Sequence, residues 1–246
     1  MSEVRVVPDS EALAEAAAET IAVAAEQAAE RRGRFTLALA GGSTPEATYA
    51  RLARPNYAGR FDWERTHIFW GDERCVPPDH PDSNARMARD VWLSKAPIPE
   101  DRIHRIQAEL EPPLAAERYE GLLRQVLPAG GPAFDLVLLG LGHEGHTASL
   151  FPGSAALRER ERWVTAAYVE KMNAWRITLT PVLLNRAREI LFLVSGEKKA
   201  HAVKEVLTGK ASADEVPARA IRPRHGRLTW LLDSAAASEL SRHSGR

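Results

Sequence analysis

Residues 134–153 read FDLVLLGLGHEGHTASLFPG, an apolar run that ends in Gly140, Gly142 and Gly145. A run without polar alternation, closed by glycine, predicts a strand buried on both faces, and such strands belong to parallel sheets covered by helices. The same glycines spell G-x-G-x-x-G, the turn that carries pyrophosphate in dinucleotide-binding folds. That reading fails on its side chains. Glu144 would put a negative charge where pyrophosphate should lie, and His146 follows the last glycine directly. Glu170 matches only loosely the acidic residue wanted ~20 positions on. The glycines therefore mark a strand-to-loop turn that brings backbone close to some other ligand.

The alternation of strands and helices extends outward from this stretch in both directions. A helix is expected over 10–32, capped by Asp9 or Ser10 and ended by Gly33, with Leu13, Ala17, Ile21, Ala24 and Ala28 on one face. Strands are expected at 35–40, 66–70, 134–140, 163–169, 176–180, 189–194 and 228–232. Helices are expected from Thr44-Pro45 onward, after Ser83, at 115–127 and at 198–207. Proline-rich segments at 76–81, 97–99 and 111–113 read as loops inside one domain. The expected fold class is α/β: a Rossmann-like, mostly parallel sheet with helices on both faces, in a single domain over 1–246.

In such sheets ligands bind beyond the carboxyl ends of the strands, so the residues after each strand form a functional scan. GGSTP (41–45) follows 35–40, GDER (71–74) follows 66–70, LGHEGHT (141–147) follows 134–140, and SGEKK (195–199) follows 189–194. Gly41 and Gly42 let backbone approach an anion, the helix start favours phosphate, and Ser43 and Thr44 add hydroxyls. The bland alternative is a tight turn with Ser43 or Thr44 as N-cap. Arg74 and Lys199 are candidate phosphate cations, one a planar fork and the other a point charge. Asp72 and Glu73 form a carboxylate pair of which at least one should hold its loop in place. Cys75, beside Arg74, is a candidate for a lowered pKa, without an adjacent base to make it a nucleophile.

His143 and His146 are spaced i, i+3, so the H-E-x-x-H zinc pattern is missing and no metal is expected. His146, at the end of a buried strand, suits a neutral imidazole acting as general base near pH 7. Its structural alternative is to cap a following helix. His143 reads as solvent-facing.

Bulk properties narrow the classes. Lysine plus arginine equals aspartate plus glutamate at 33 each, so no global field favours nucleic acid or a membrane surface. The cluster Arg222, Arg224, His225 and Arg227 reads as solvated surface. Cys75 is the single cysteine, which excludes an internal disulfide and suits a reducing compartment. No signal peptide and no ~20-residue apolar span are seen, so a cytoplasmic protein is expected. Balanced charge without an obvious apolar patch points to a monomer.

The motifs GGSTP, GDERCVP…DSN, GLGHEGHTASLFPG, RITLT, SGEKKA and VPARAI occur here in the order seen in 6-phosphogluconolactonases. The chain resembles that family from about residue 4 to 233, with GHTASLFP the most specific match. The resemblance implies the α/β fold shared with glucosamine-6-phosphate deaminases and ribose-5-phosphate isomerases. It also implies hydrolysis of 6-phosphoglucono-δ-lactone to 6-phosphogluconate in the oxidative pentose phosphate pathway, without a cofactor. His146 is then the base that activates water. Arg74, Lys199, Ser43 and Thr44 hold the 6-phosphate, Arg176 is a lesser candidate for sugar or phosphate, and Asp72 orients the substrate or its cationic neighbours. Glu144 stands where the family usually has aspartate, one methylene further out. The rival readings are a sugar-phosphate deaminase or isomerase and a non-enzymatic sugar-phosphate sensor. In the related deaminases a catalytic glutamate occupies the position held here by Phe151, which has no proton to give.

Overall fold

The chain leaves its first helix where the sequence marks an end. The computed structural model describes residues 2–128, 130 and 133–240. Helix α1 (Ser10–Arg32) is capped by the Asp9 carboxylate, which accepts from the Ala12 N–H, and closes at Gly33 with φ 69°. The left-handed region suits glycine because it lacks a Cβ. Strands β1 (Ser2–Val7), β2 (Phe35–Leu39), β3 (Thr66–Trp70), β5 (Leu136–Leu139), β8 (Glu189–Val194) and β9 (Arg227–Asp233) form one sheet, β4 (Asp72–Arg74), β6 (Val164–Val169) and β7 (Ala174–Leu179) another. The further helices are α2 (Ser43–Leu52), α3 (Pro55–Ala58), α4 (Asn84–Val91), α5 (Pro112–Val126), α6 (Ala155–Arg158), α7 (Pro181–Leu184) and α8 (Ala200–Leu207).

The six-stranded sheet has the order β1-β9-β8-β5-β2-β3, and every pairing in it is parallel. Every residue of β2 and β5 is buried, as strands covered on both faces require. From β2 the chain goes outward to β3, then returns to the other side of β2 as β5. Adjacent crossovers therefore diverge between β2 and β5, which opens a crevice at their carboxyl ends.

Three expectations need correction. The segments 163–169 and 176–180 are strands, but they lie in a separate antiparallel sheet, β4-β7-β6. The turn between β6 and β7, Glu170 to Asn173, is far too short for a parallel crossover, and Asn173 takes a left-handed conformation to close it. The GDER segment is not a simple loop: Asp72–Arg74 is β4, entered through Gly71, whose N–H bonds Leu39 O of β2 and whose C=O accepts from Leu179 of β7. Gly71 thus joins the two sheets. The segment 111–113 supplies the first turn of α5, where proline loses no helical hydrogen bond. Strand β1 has no counterpart in the sequence reading. It is a largely exposed edge strand, so no buried apolar run marks it.

Two buried tyrosines fasten the ends of β2 and β3. Tyr49 donates to Ala40 O and accepts from its N–H, and Tyr119 does the same for Trp70. Each hydroxyl satisfies backbone groups at a point where the sheet ladder stops.

Candidate active site

Over the carboxyl ends of β2, β5 and β8 lies a cleft of about 260 Å³, walled by all four strand-end segments of the sequence scan. Gly41, Gly42, Ser43, Thr44, Asp72, Arg74, His146 and Lys199 line it, together with His143, Asn84 and Ser195. Glu144 and Arg176 are not among the lining residues.

The first wall is the entry to α2. Gly42, at φ 103°, is the N-cap, so neither Ser43 nor Thr44 caps the helix. Thr44 instead shares a 2.8 Å hydrogen bond with Ser195 at the end of β8. The start of α2, Ser43 and Thr44, thus lies on the cleft, and the first N–H groups of a helix have no intrahelical partners. A Cβ on Gly41 would lie 1.9 Å from Oδ1 of Asn84, so glycine is what admits that side chain. Asn84 in turn donates to Asp72 O at 2.9 Å.

The carboxylate pair of the second wall divides its labour. Glu73 is buried and accepts from the N–H groups of Arg74, Asn84 and Ala85 and from the Ser83 hydroxyl. Burial raises its pKa against the pull of those N–H bonds. It is the structural member. Asp72 accepts from Ser149 at 2.7 Å and keeps a face on the cleft. Arg74 donates to Asp82 O, across the loop that follows β4. The thiol of Cys75 is not activated: burial pushes it up to about 11, and this outweighs the nearby Arg176.

His146 occupies the third wall. No helix follows it directly, so it caps none. Its ring lies between Gly142, where a Cβ would sit 2.0 Å from the imidazole, and the Phe151 ring at 4.3 Å. Gly145, at φ 76°, closes the turn, and its C=O accepts from Ala218. Burial is the main force that brings the His146 pKa down to about 4; Lys199, His143 and Arg176 add to it, and Asp72 opposes it. The ring is therefore neutral near pH 7. Its Nδ1 is buried without a hydrogen-bond partner, which leaves Nε2 as the nitrogen to meet a bound molecule. Glu144 Oε1 stands 3.6 Å from Nδ1 and pairs with Lys171. His143 is exposed, contacts Lys198 O and also lines the cleft.

Lys199 enters from the turn Glu197–Lys199 that precedes α8, and partial burial lowers its pKa. Arg176 lies opposite Arg74 in the β4–β7 register, and burial and Arg74 together lower its pKa. Its Nη1 is buried without a partner. None of Arg222, Arg224, His225 and Arg227 lines the cleft, and Arg227 pairs with Glu189. The scan of strand ends misses Asn84, which lines the cleft, and two residues that contact its neighbours, Ser149 through Asp72 and Lys171 through Glu144. Asn84 and Ser149 lie inside the quoted motifs, whereas nothing local marks Lys171. Among the described residues no group of three His, Cys, Asp or Glu is placed to hold a metal, and no helix is long and apolar enough to cross a membrane.

A family model described as "Glucosamine-6-phosphate isomerases/6-phosphogluconolactonase" matches residues 8–230. The chain is 44% identical over 242 residues to the 6-phosphogluconolactonase of Synechocystis sp., covering 97% of this chain and 98% of that protein. The solved 6-phosphogluconolactonase from Trypanosoma brucei superposes with a TM-score of 0.87 at 34% identity, over 98% of this chain and 99% of that one. A monomeric glucosamine-6-phosphate deaminase superposes with a TM-score of 0.81 at 25% identity, over 96% and 99%.

Proposed function

The chain belongs to the glucosamine-6-phosphate isomerase/6-phosphogluconolactonase family, and from that premise we propose that it hydrolyses 6-phospho-D-glucono-1,5-lactone to 6-phospho-D-gluconate. It is a carboxylic-ester hydrolase of the pentose phosphate pathway. The observation that carries the reading is a neutral, half-enclosed His146 in the same cleft as Arg74 and Lys199.

Arg74 and Lys199 hold the 6-phosphate, with the hydroxyls of Ser43 and Thr44 and the backbone of Gly41 and Gly42 at the start of α2. Nε2 of His146 takes a proton from water as the oxygen adds to the lactone carbonyl. The tetrahedral intermediate collapses, the ring C–O bond breaks, and the same proton passes from Nε2 to the departing ring oxygen. Asp72 stabilises the imidazolium formed between these steps. The bound phosphate helps too, because its charge offsets the cations that hold the histidine pKa down. Arg176 adds positive charge beside Arg74, and Glu144 is a carboxylate close to Nδ1. A δ-lactone is already an activated ester, so the scheme uses no cofactor. The proposed setting is a monomer in the cytoplasm, which the single cysteine suits.

The deaminase alternative is disfavoured because Phe151 occupies the position where a proton-carrying glutamate is needed. The test is a coupled assay with freshly generated 6-phosphogluconolactone. His146→Ala should lower turnover ~10²–10⁴-fold, the usual cost of losing a general base. Turnover close to that of the unaltered protein, above spontaneous hydrolysis, removes His146 from the mechanism.

A further inference from the structure

Glu144 sits between two partners. Its Oε1 pairs with the ammonium of Lys171 and lies 3.6 Å from Nδ1 of His146. The second contact is too long for a hydrogen bond, and Nδ1 is buried without a partner. The bond made by one histidine nitrogen ordinarily sets the tautomer and orientation of the other. Here the acceptor is present but engaged elsewhere.

Lys171 comes from the turn between β6 and β7, a different element from the histidine loop. Its ammonium also lies 4.8 Å from the centroid of Phe151, the ring that packs on His146 at 4.3 Å. One cation thus touches both the carboxylate and the aromatic ring that flank the imidazole. That double contact separates Lys171 from an ordinary surface ion pair.

We propose that Lys171 is a positioning residue: it withholds Glu144 from Nδ1 while His146 is neutral and yields it when the imidazole takes up a proton. The inference rests on His146 being the proton acceptor of the reaction. A shift of Oε1 by well under ~1 Å brings it within hydrogen-bond range of Nδ1. A neutral ring competes poorly with an ammonium for the carboxylate. Once Nε2 holds the proton from water, Nδ1–H becomes a charged donor, and such bonds are about twice as strong as neutral ones. The more buried of the two cations is also less screened by water. Glu144 accepts no proton; the proton stays on Nε2 until the ring oxygen leaves. The result is a base that stays weakly basic at rest and is supported only while charge develops.

The other charged groups facing His146 are Asp72 from β4, Lys199 from the turn before α8, Arg176 from β7 and His143 from its own loop. Asp72 raises its proton affinity and the other three lower it. The variants that test the proposal leave all four in place. Lys171 and Glu144 are both partly exposed, so changing them opens no core.

Lys171→Met frees Glu144 to bond Nδ1 in the resting protein. In a titration of the histidine-labelled protein followed by NMR, the His146 midpoint should rise by about one unit, the lower end of the shift expected from an opposite charge at bonding distance. Lys171→Arg should titrate as the unaltered protein does, and adding Glu144→Gln to Lys171→Met should abolish the rise. An unmoved midpoint in Lys171→Met, or a rise that survives the loss of Glu144, overturns the proposal. The ring is observed directly, so the result does not depend on turnover. A shifted midpoint with an unmoved acid limb of kcat/KM supports the Lys171–Glu144 exchange and removes His146 as the base.

Discussion

Gly142 and Gly145 lie three residues apart in one turn and serve different ends. At Gly142 the atoms that a Cβ would strike all belong to the His146 ring, the nearest at 2.0 Å, and its φ is not left-handed. At Gly145 the obstacle is Val216, 2.6 Å away, on a backbone at φ 76°. Gly142→Ala should therefore displace the imidazole with little backbone strain. Its kcat should fall by ~10²-fold or more, as misplacement by about 1 Å does elsewhere, while its melting temperature stays close to that of the unaltered protein. Full turnover in that variant would mean that the ring position is unimportant. Gly145→Ala should show the reverse emphasis, with lost stability from a strained left-handed alanine. The literal G-x-G-x-x-G pattern thus decomposes into one glycine that admits a side chain and another that makes a turn.

At the scale of elements, β4 and α4 act as one unit through Glu73. The buried carboxylate gathers three backbone N–H groups and the Ser83 hydroxyl, and Ser83 caps α4 by accepting from Arg86 N–H. Asn84, the first residue of α4, then reaches back to Asp72 O. Glu73→Ala would leave several buried donors unmet, at a cost of about 3 kcal/mol in unfolding free energy. Urea denaturation measures this; a loss below ~1 kcal/mol would mean that water replaces the carboxylate easily. The sequence alone assigns at least one acidic residue of the pair to structure. It cannot say which, because GDER looks the same whether residue 72 or 73 points inward. The strand that fixes the alternation, β7, lies about a hundred residues further on.

Across the whole molecule, buried neutral histidines tie stability to pH. His146 in the cleft and His104 beside His67 on β3 are both brought down to about 4, chiefly by burial. The unfolded chain titrates its histidines near their ordinary 6.5. Between these values the unfolded state binds more protons, so stability is full above about pH 6.5 and falls as the pH drops toward 4. Glu73, whose pKa burial raises, has the opposite sign: its share grows as the pH falls. A comparison at single residues separates the two. Unfolding free energy should decrease from pH 7 to pH 5, and His104→Gln, which keeps a hydrogen-bonding side chain, should decrease less steeply. Equal slopes would exclude His104 from the effect.

The sequence by itself determined the order and type of the longer helices and of every strand except β1 and β4, the ends of α1, and the presence of His146, Arg74 and Lys199 just after buried strands. Those features follow from local rules: apolar runs make buried strands, glycine and proline end them, and ligands gather where parallel strands stop. Tertiary structure alone decided that β6 and β7 join β4 in a second sheet, that Glu73 rather than Asp72 is the buried carboxylate, and that burial raises the Cys75 thiol pKa. It also decided that Thr44 bonds Ser195 across 151 residues and Ser149 bonds Asp72 across 77. The pairing of Glu144 with Lys171 is of the same kind. These depend on which side chains meet after folding, and on how much water is left around them when they do.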